Sequence, residues 1–131
     1  MGVGFPAHNK LEDFGMKVYW AFGHYPYHVG SSLMTKNDWR DVDVRLIISD
    51  GEYKQMGLGD PKYPRENKKM RALCEAFSEL GKAMTGLPID FQIQQRTWAN
   101  DTYPNTKEEP NWRSCLGHTL NMVKHGKTEK A

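Results

Sequence analysis

The sequence predicts one α/β (α+β) domain, a small mixed β-sheet packed with helices. Two stretches, 11–22 and 66–85, carry apolar residues at helical spacing, and two others, 42–48 and 87–94, alternate apolar with polar residues as half-buried strands do. Their order is helix, strand, turn, strand, helix, strand, within a chain of 131 residues, long enough for one core and too short for two comfortable ones. An apolar fraction of 38% against 26% charged residues supports such a core and argues against a disordered chain.

In the first helix Leu11, Phe14, Val18, Ala21 and Phe22 share a face. Asn9 followed three residues later by Glu12 reads as a capping box, and Gly23 as the stop. His24 to Val29 is short and aromatic-rich, a strand that leads into the turn Gly30-Ser31-Ser32. Val42 to Ile48 is the clearest strand: Val42, Val44, Leu46 and Ile48 point one way, and Asp41, Asp43, Arg45 and Ile47 the other. Ser49 to Arg65 holds three glycines and two prolines and exceeds an ordinary connector, so it is expected as a substrate-facing loop or lid, or as a surface insertion. A second helix is expected from about Glu66 to Thr85, with Met70, Leu73, Cys74, Phe77, Leu80 and Met84 as its buried stripe and Gly86 ending it. The strand Leu87 to Gln94 places Ile89, Phe91 and Ile93 on one face and Asp90, Gln92 and Gln94 on the other. Beyond Gln95 the pattern weakens: 97–111 reads as loop, a short helix is expected from about Trp112 to Val123, and a frayed tail follows. The domain therefore spans 1–131, with a core at about 10–95 and a C-terminal extension over 96–131.

No apolar run approaches the ~20 residues of a membrane span, and the N-terminus has neither a basic patch nor an apolar h-region, so a cytoplasmic protein without membrane partners is expected. Cys74 and Cys115 stand alone, without the spacing of a zinc site, and Cys74 is expected as a buried thiol. A net charge of +2 neither carries the basic signature of nucleic-acid binders nor excludes one.

Chemistry concentrates on one predicted face. Asp41 and Asp43 lie two residues apart on a strand, so both carboxylates project from the same side, roughly 7 Å apart along the chain. Asp90 occupies the polar face of another strand. Gly30-Ser31 sits where a strand gives way to a tight turn, a place where backbone N–H groups can cradle phosphate. Three carboxylates in one patch would repel, and a divalent cation removes that repulsion; Mg²⁺, or alternatively Mn²⁺, suits all-oxygen ligands. His24, Tyr25, Tyr27 and His28 can be read either as an aromatic platform for a base or as strand packing, and Trp98 and Trp112 as base- or partner-stacking or as packing under the loop.

Gly30-Ser31, nine further residues, then Asp41-Val42-Asp43 and an apolar strand, with Asp90 in Pro88-Ile89-Asp90-Phe91 one helix later, resembles the signature of the polymerase-beta-type nucleotidyltransferase superfamily. The resemblance covers roughly residues 10 to 95 and is closest to the minimal nucleotidyltransferases, some of which pair with a helical toxin or substrate-binding protein. It implies the nucleotidyltransferase fold and a magnesium-dependent transfer of a nucleoside monophosphate from a nucleoside triphosphate to a hydroxyl of a protein, nucleic acid or small molecule, with pyrophosphate released. Asp41, Asp43 and Asp90 would be the catalytic metal ligands, with two ions expected beside bound nucleotide. Gly30, Ser31 and Ser32 would bind phosphate, with Lys36 and Arg40 as further phosphate contacts. The chain departs from the pattern in holding Leu33 to Thr35 where relatives often have a second glycine, and Arg40 where they have serine. Only about 40 residues follow Asp90, so a partner chain or a second copy is expected to complete the acceptor site. The alternative expectation is a weakly active or inactive nucleotide-binding module of the same fold, antitoxin-like in role.

Overall fold

A computed structural model describes residues 6–34 and 41–117. It is a mixed α/β fold, in which helices pack on a four-stranded sheet of order β3-β2-β1-β4. The elements are α1 (Ala7–Phe22), β1 (Tyr27–Val29), a helical turn α2 (Ser31–Met34), β2 (Val42–Ile48), α3 (Asp50–Gln55), a 3-10 turn (Pro64–Glu66), α4 (Lys68–Thr85), β3 (Ile89–Gln95), α5 (Arg96–Thr102) and β4 (Ser114–Cys115). Strand β1 runs antiparallel to both β2 and β4, whereas β2 and β3 are parallel and are joined by the α3–α4 crossover that a parallel pair requires.

One face of the sheet carries the core. Val42, Val44, Leu46 and Ile48 of β2 and Ile89, Phe91 and Ile93 of β3 are buried against Leu11, Phe14 and Val18 of α1 and Met70 of α4. The rings of Phe22, Phe77 and Phe91 meet with centroids 5.1 and 5.4 Å apart, locking α1 and α4 onto β3. Each such side chain contributes about 1.5–3 kcal/mol through burial. Among the described residues no helix is long and apolar enough to cross a membrane.

Several local expectations are corrected. Helix α1 begins at Ala7, with Pro6 at its cap position and no side-chain cap, rather than at Asn9. Glu12 does not close a capping box, because its carboxylate accepts the Gly117 N–H at 2.7 Å, tying the C-terminal segment to α1. Helix α4 starts at Lys68, where the Asn67 side chain accepts the Met70 N–H at 2.8 Å, and Pro64–Glu66 form a separate turn. Leu80, expected in the core, is 38% exposed. The close approach runs through Gly81 instead, where a Cβ would meet Ile89 at 3.0 Å, so α4 rests its backbone on β3 and turns Leu80 outward.

The 49–65 connection is not structureless. Ser49 caps α3 by accepting the Glu52 N–H at 3.2 Å, and Tyr53 and Leu58 are buried anchors. The expected 97–111 loop contains α5, fixed by buried Ala99 and by Asp50, which accepts the Thr97 N–H at 3.1 Å. In place of a helix from Trp112, Ser114–Cys115 form β4, with the Leu116 N–H donating to Pro26 O at 2.9 Å; this pairing covers an edge of β1 that would otherwise be open. Beyond Gly117 the expected helix and tail lie outside the described residues.

Candidate functional site

The second face of the sheet changes character along its length. At the C-terminal ends of β2 and β3, Ile47 and Gln94 face each other in register and are buried, in a hollow that Tyr103, Asn111, Trp112 and Arg113 also line. At the N-terminal ends Asp43 lies opposite Asp90 in the parallel register, and Asp41 immediately precedes β2. Asp41 is exposed, Asp43 and Asp90 are half-buried, and each offers a carboxylate oxygen within 4.8 Å of the other two. Parallel pairing thus brings together acids 47 residues apart that the sequence could only assign to like faces.

Strand β1 brings Gly30 to the same spot. Val29 pairs with Asp43, and the next residue, Gly30, has φ +81°, a conformation that L side chains rarely adopt. A Cβ at Gly30 would collide with Asp43 Oδ2, so glycine is required both by the backbone angle and by the close approach of the acid. The turn α2 starts directly after it, and the Leu33 N–H closes that turn on Gly30 O at 3.1 Å.

Burial pushes the Asp43 carboxyl above its ordinary range; Arg45 works against this, and the neighbouring charges of Asp90 and Asp41 reinforce it. Arg45 holds the acids in place. It lies 3.6 Å from Asp43 and 3.3 Å from Asp90, and it donates to the Asp90 carbonyl oxygen at 2.7 Å. Gln92 Nε2 lies 3.3 Å from the Asp90 carboxylate. The sequence placed Arg45 on this face without giving it a role. Its position two residues after Asp43 on a strand was the available signal.

All-oxygen donors in a half-buried, mutually repelling cluster fit a hard divalent cation, and Asp41, Asp43 and Asp90 are the residues that would hold it. Of the expected phosphate contacts, Gly30 is at the site. Ser32 is fully buried, with Oγ 2.7 Å from His28 Nε2, so its hydroxyl is committed to the core and only its backbone remains to offer. Lys36 and Arg40 lie outside the described residues, and so does the side chain of Ser31.

The aromatic platform does not form as a unit. His28 faces the core, Tyr25 stacks on Tyr19 at 4.2 Å, and His24 Nε2 lies 2.9 Å from the Glu52 carboxylate. His28 Nδ1 has no partner among the described residues, and burial, reinforced by His8, lowers the pKa from 6.5 to about 4. Cys74 is half-buried rather than fully buried, and burial raises its thiol pKa. Trp98 meets Tyr103 edge to face at 5.8 Å, and Trp112 is 56% exposed. No protein-family model matches the chain, and neither a curated protein nor a solved structure matches it significantly.

Proposed function

We propose that this chain is a magnesium-dependent nucleotidyltransferase that moves a nucleoside monophosphate from a nucleoside triphosphate to a hydroxyl acceptor and releases pyrophosphate. The observation that carries this reading is the convergence of Asp41, Asp43 and Asp90, with carboxylate oxygens within 4.8 Å, beside a positive-φ Gly30. That is the constellation which the resemblance to the polymerase-beta-type superfamily requires, in the same chain order. A divalent ion pair bound by the acids would neutralise phosphate charge and increase the acidity of the acceptor hydroxyl.

The chain's own groups do the positioning. Arg45 keeps Asp43 and Asp90 from separating under their mutual repulsion. Backbone N–H groups after Gly30 take the terminal phosphates, and the absence of a Cβ there lets phosphate and Asp43 approach the same point. The hollow of about 160 Å³ beside the acids, lined by Gly30, Asp43, Tyr103 and Trp112, is too small to enclose a nucleoside, but the exposed Tyr103 and Trp112 rings at it offer the donor's base a stacking surface. Asp90 accepts the acceptor's proton as its oxygen bonds to the α-phosphorus. The bond from that phosphorus to the bridging oxygen breaks, and its electron pair leaves with pyrophosphate. Catalysis is then positioning and charge neutralisation. A cytoplasmic setting, where nucleoside triphosphates are available, accords with this reading, and a partner chain or second copy would complete the acceptor site.

One observation favours the weaker alternative, a nucleotide-binding module without turnover. Arg45 supplies a positive charge against two of the three acids and so does part of a cation's work. Melting temperatures with each nucleoside triphosphate, with and without Mg²⁺, test the proposal. At 100 times Kd the ligand stabilises the fold by about 2.7 kcal/mol. Asp41→Ala with Asp43→Ala abolishes the metal-dependent part, and pyrophosphate release separates transfer from binding. A wild-type protein that responds to no nucleotide refutes both readings.

A further inference from the structure

Strand β1 is short, and alternation turns its middle residue inward: Tyr27 and Val29 are half-buried, whereas His28 between them is fully buried. Its partner across the sheet on one side is Val44, itself without exposure, and on the other Ser114 of β4. A histidine is an expensive residue in such a place. Its Nε2 lies 2.7 Å from Ser32 Oγ, and Ser32 is buried as deeply. Its Nδ1 has no hydrogen-bond partner among the described residues. A neutral imidazole carries one donor and one acceptor nitrogen, so either tautomer leaves a polar atom of the ring unsatisfied in the core. A buried hydrogen bond contributes less to folding than an orphaned buried polar group costs, and two apolar side chains of similar shape would serve folding as well or better. Stability therefore does not account for the pair.

Its place in the chain supplies another reason. The bond joins residues four apart, and the three between them are Val29, Gly30 and Ser31, the turn that meets the acids. Val29 is paired with Asp43, and Gly30 approaches Asp43 so closely that a Cβ would collide with its carboxylate. Little else holds this turn in one position. Glycine has the most backbone freedom of any residue, and the helical turn Ser31–Met34 is too short to be stable through its own hydrogen bonds. Leu33 is buried beside Ser32, but apolar contact has no direction. The His28–Ser32 bond fixes distance and direction together. Its anchor is a strand flanked by β2 on one side and β4 on the other.

We propose that His28 is a positioning residue: through Ser32 it clamps the Gly30 turn from the core side, so that the backbone N–H groups after Gly30 stay aimed at the terminal phosphates beside Asp43. This rests on the transferase reading. His28 is fully buried behind the turn and acts only through Ser32. The consequence is a division between two tasks. The acids hold a metal ion with or without the clamp, whereas a triphosphate requires it.

The test uses the full chain, inorganic tripolyphosphate with Mg²⁺ as the phosphate probe, and Mn²⁺ alone as the metal probe. His28→Leu with Ser32→Ala removes both polar partners and leaves no orphan. His28→Gln keeps an amide nitrogen in the place of Nε2. The double variant is expected to melt no lower than wild type and to bind Mn²⁺ as wild type does, read by electron paramagnetic resonance. Its affinity for Mg²⁺–tripolyphosphate in calorimetry is expected to fall about tenfold or more, because a small misplacement of positioning groups is enough to lose that much. The Mg²⁺-dependent melting response to nucleoside triphosphate should fall with it, and His28→Gln should keep most of both. A double variant that unfolds or melts below wild type makes the pair a structural one and overturns the inference. Undiminished tripolyphosphate binding, an equal loss for Mn²⁺, or a His28→Gln protein as impaired as the double variant also overturns it. A nucleotide response that persists in the double variant removes His28 alone. A wild type that responds to neither nucleotide nor tripolyphosphate refutes the transferase reading, and the clamp with it.

Discussion

The two faces of β2 are built on one backbone and serve opposite ends. Toward the helices, Val42, Val44, Leu46 and Ile48 are at most 1% exposed and stabilise the fold by leaving water. Toward the other side, Asp43 is half-buried beside Asp90 and Asp41, with its carboxyl made a weaker acid by burial, an arrangement that costs stability when it ionises. A strand alternates its side chains with period two, so a face that folds the protein and a face that gathers its acids can be only one residue apart. The contrast implies that substitutions on the two faces fail in different ways: on one side the protein unfolds, on the other it stays folded and stops working.

The largest separation is expected at Asp43. Asp43→Asn should cut pyrophosphate release by about 10³-fold, about 4 kcal/mol, without loss of the folded state; a loss under tenfold would remove Asp43 from the chemistry. On the opposite face, Leu46→Ala should lower the unfolding free energy in urea by about 3 kcal/mol through lost burial and a cavity. A tolerant Leu46 would mean that β2 is not central to the core.

Next comes a pH effect from the core side. His28 is held neutral, with its pKa lowered from 6.5 to about 4. Between those values the unfolded chain binds the extra proton and the native state does not, so this stability is complete above pH 6.5 and is lost as pH falls toward 4, by up to about 3 kcal/mol. Urea titrations of wild type and His28→Gln over that window check it; equal pH slopes would contradict the assignment.

Gly30 couples a left-handed backbone to the position of Asp43. Gly30→Ala should cost about 1–2 kcal/mol for the left-handed backbone, and should weaken the Mg²⁺-dependent nucleotide response more than stability, since its methyl group would displace Asp43. The smallest effect is the reverse of the first. Because ionised Asp43 is disfavoured where it sits, Asp43→Asn should raise the melting temperature by about 2–4 °C at neutral pH, and a fall would show that its pairing with Arg45 outweighs burial.

Much of this was legible in local pattern. The bounds and facing of Val42–Ile48 followed from alternation, and the stop of α4 at Gly86 from a glycine at φ +74°. The acids could be assigned to like faces of two strands for the same reason. Patterns failed where a distant segment intervened. Ile47 and Gln94, on the polar face by alternation, are buried in the hollow that Tyr103 and Trp112 share. Glu12 looked like a capping residue and is spent on Gly117, and β4 is a strand only because β1 offers it an edge.

The sequence by itself determined which residues are apolar at which period, and hence α1, α4, β2 and β3 with most of their buried faces and the chemical character of their polar ones, because those depend on neighbours within a few positions. Only the tertiary structure decided that β2 and β3 lie side by side in parallel, in the register that sets Asp43 against Asp90 with Gly30 and Arg45 around them. Strand register is chosen by packing between segments tens of residues apart, and a one-residue slip would have turned every acid to the opposite face.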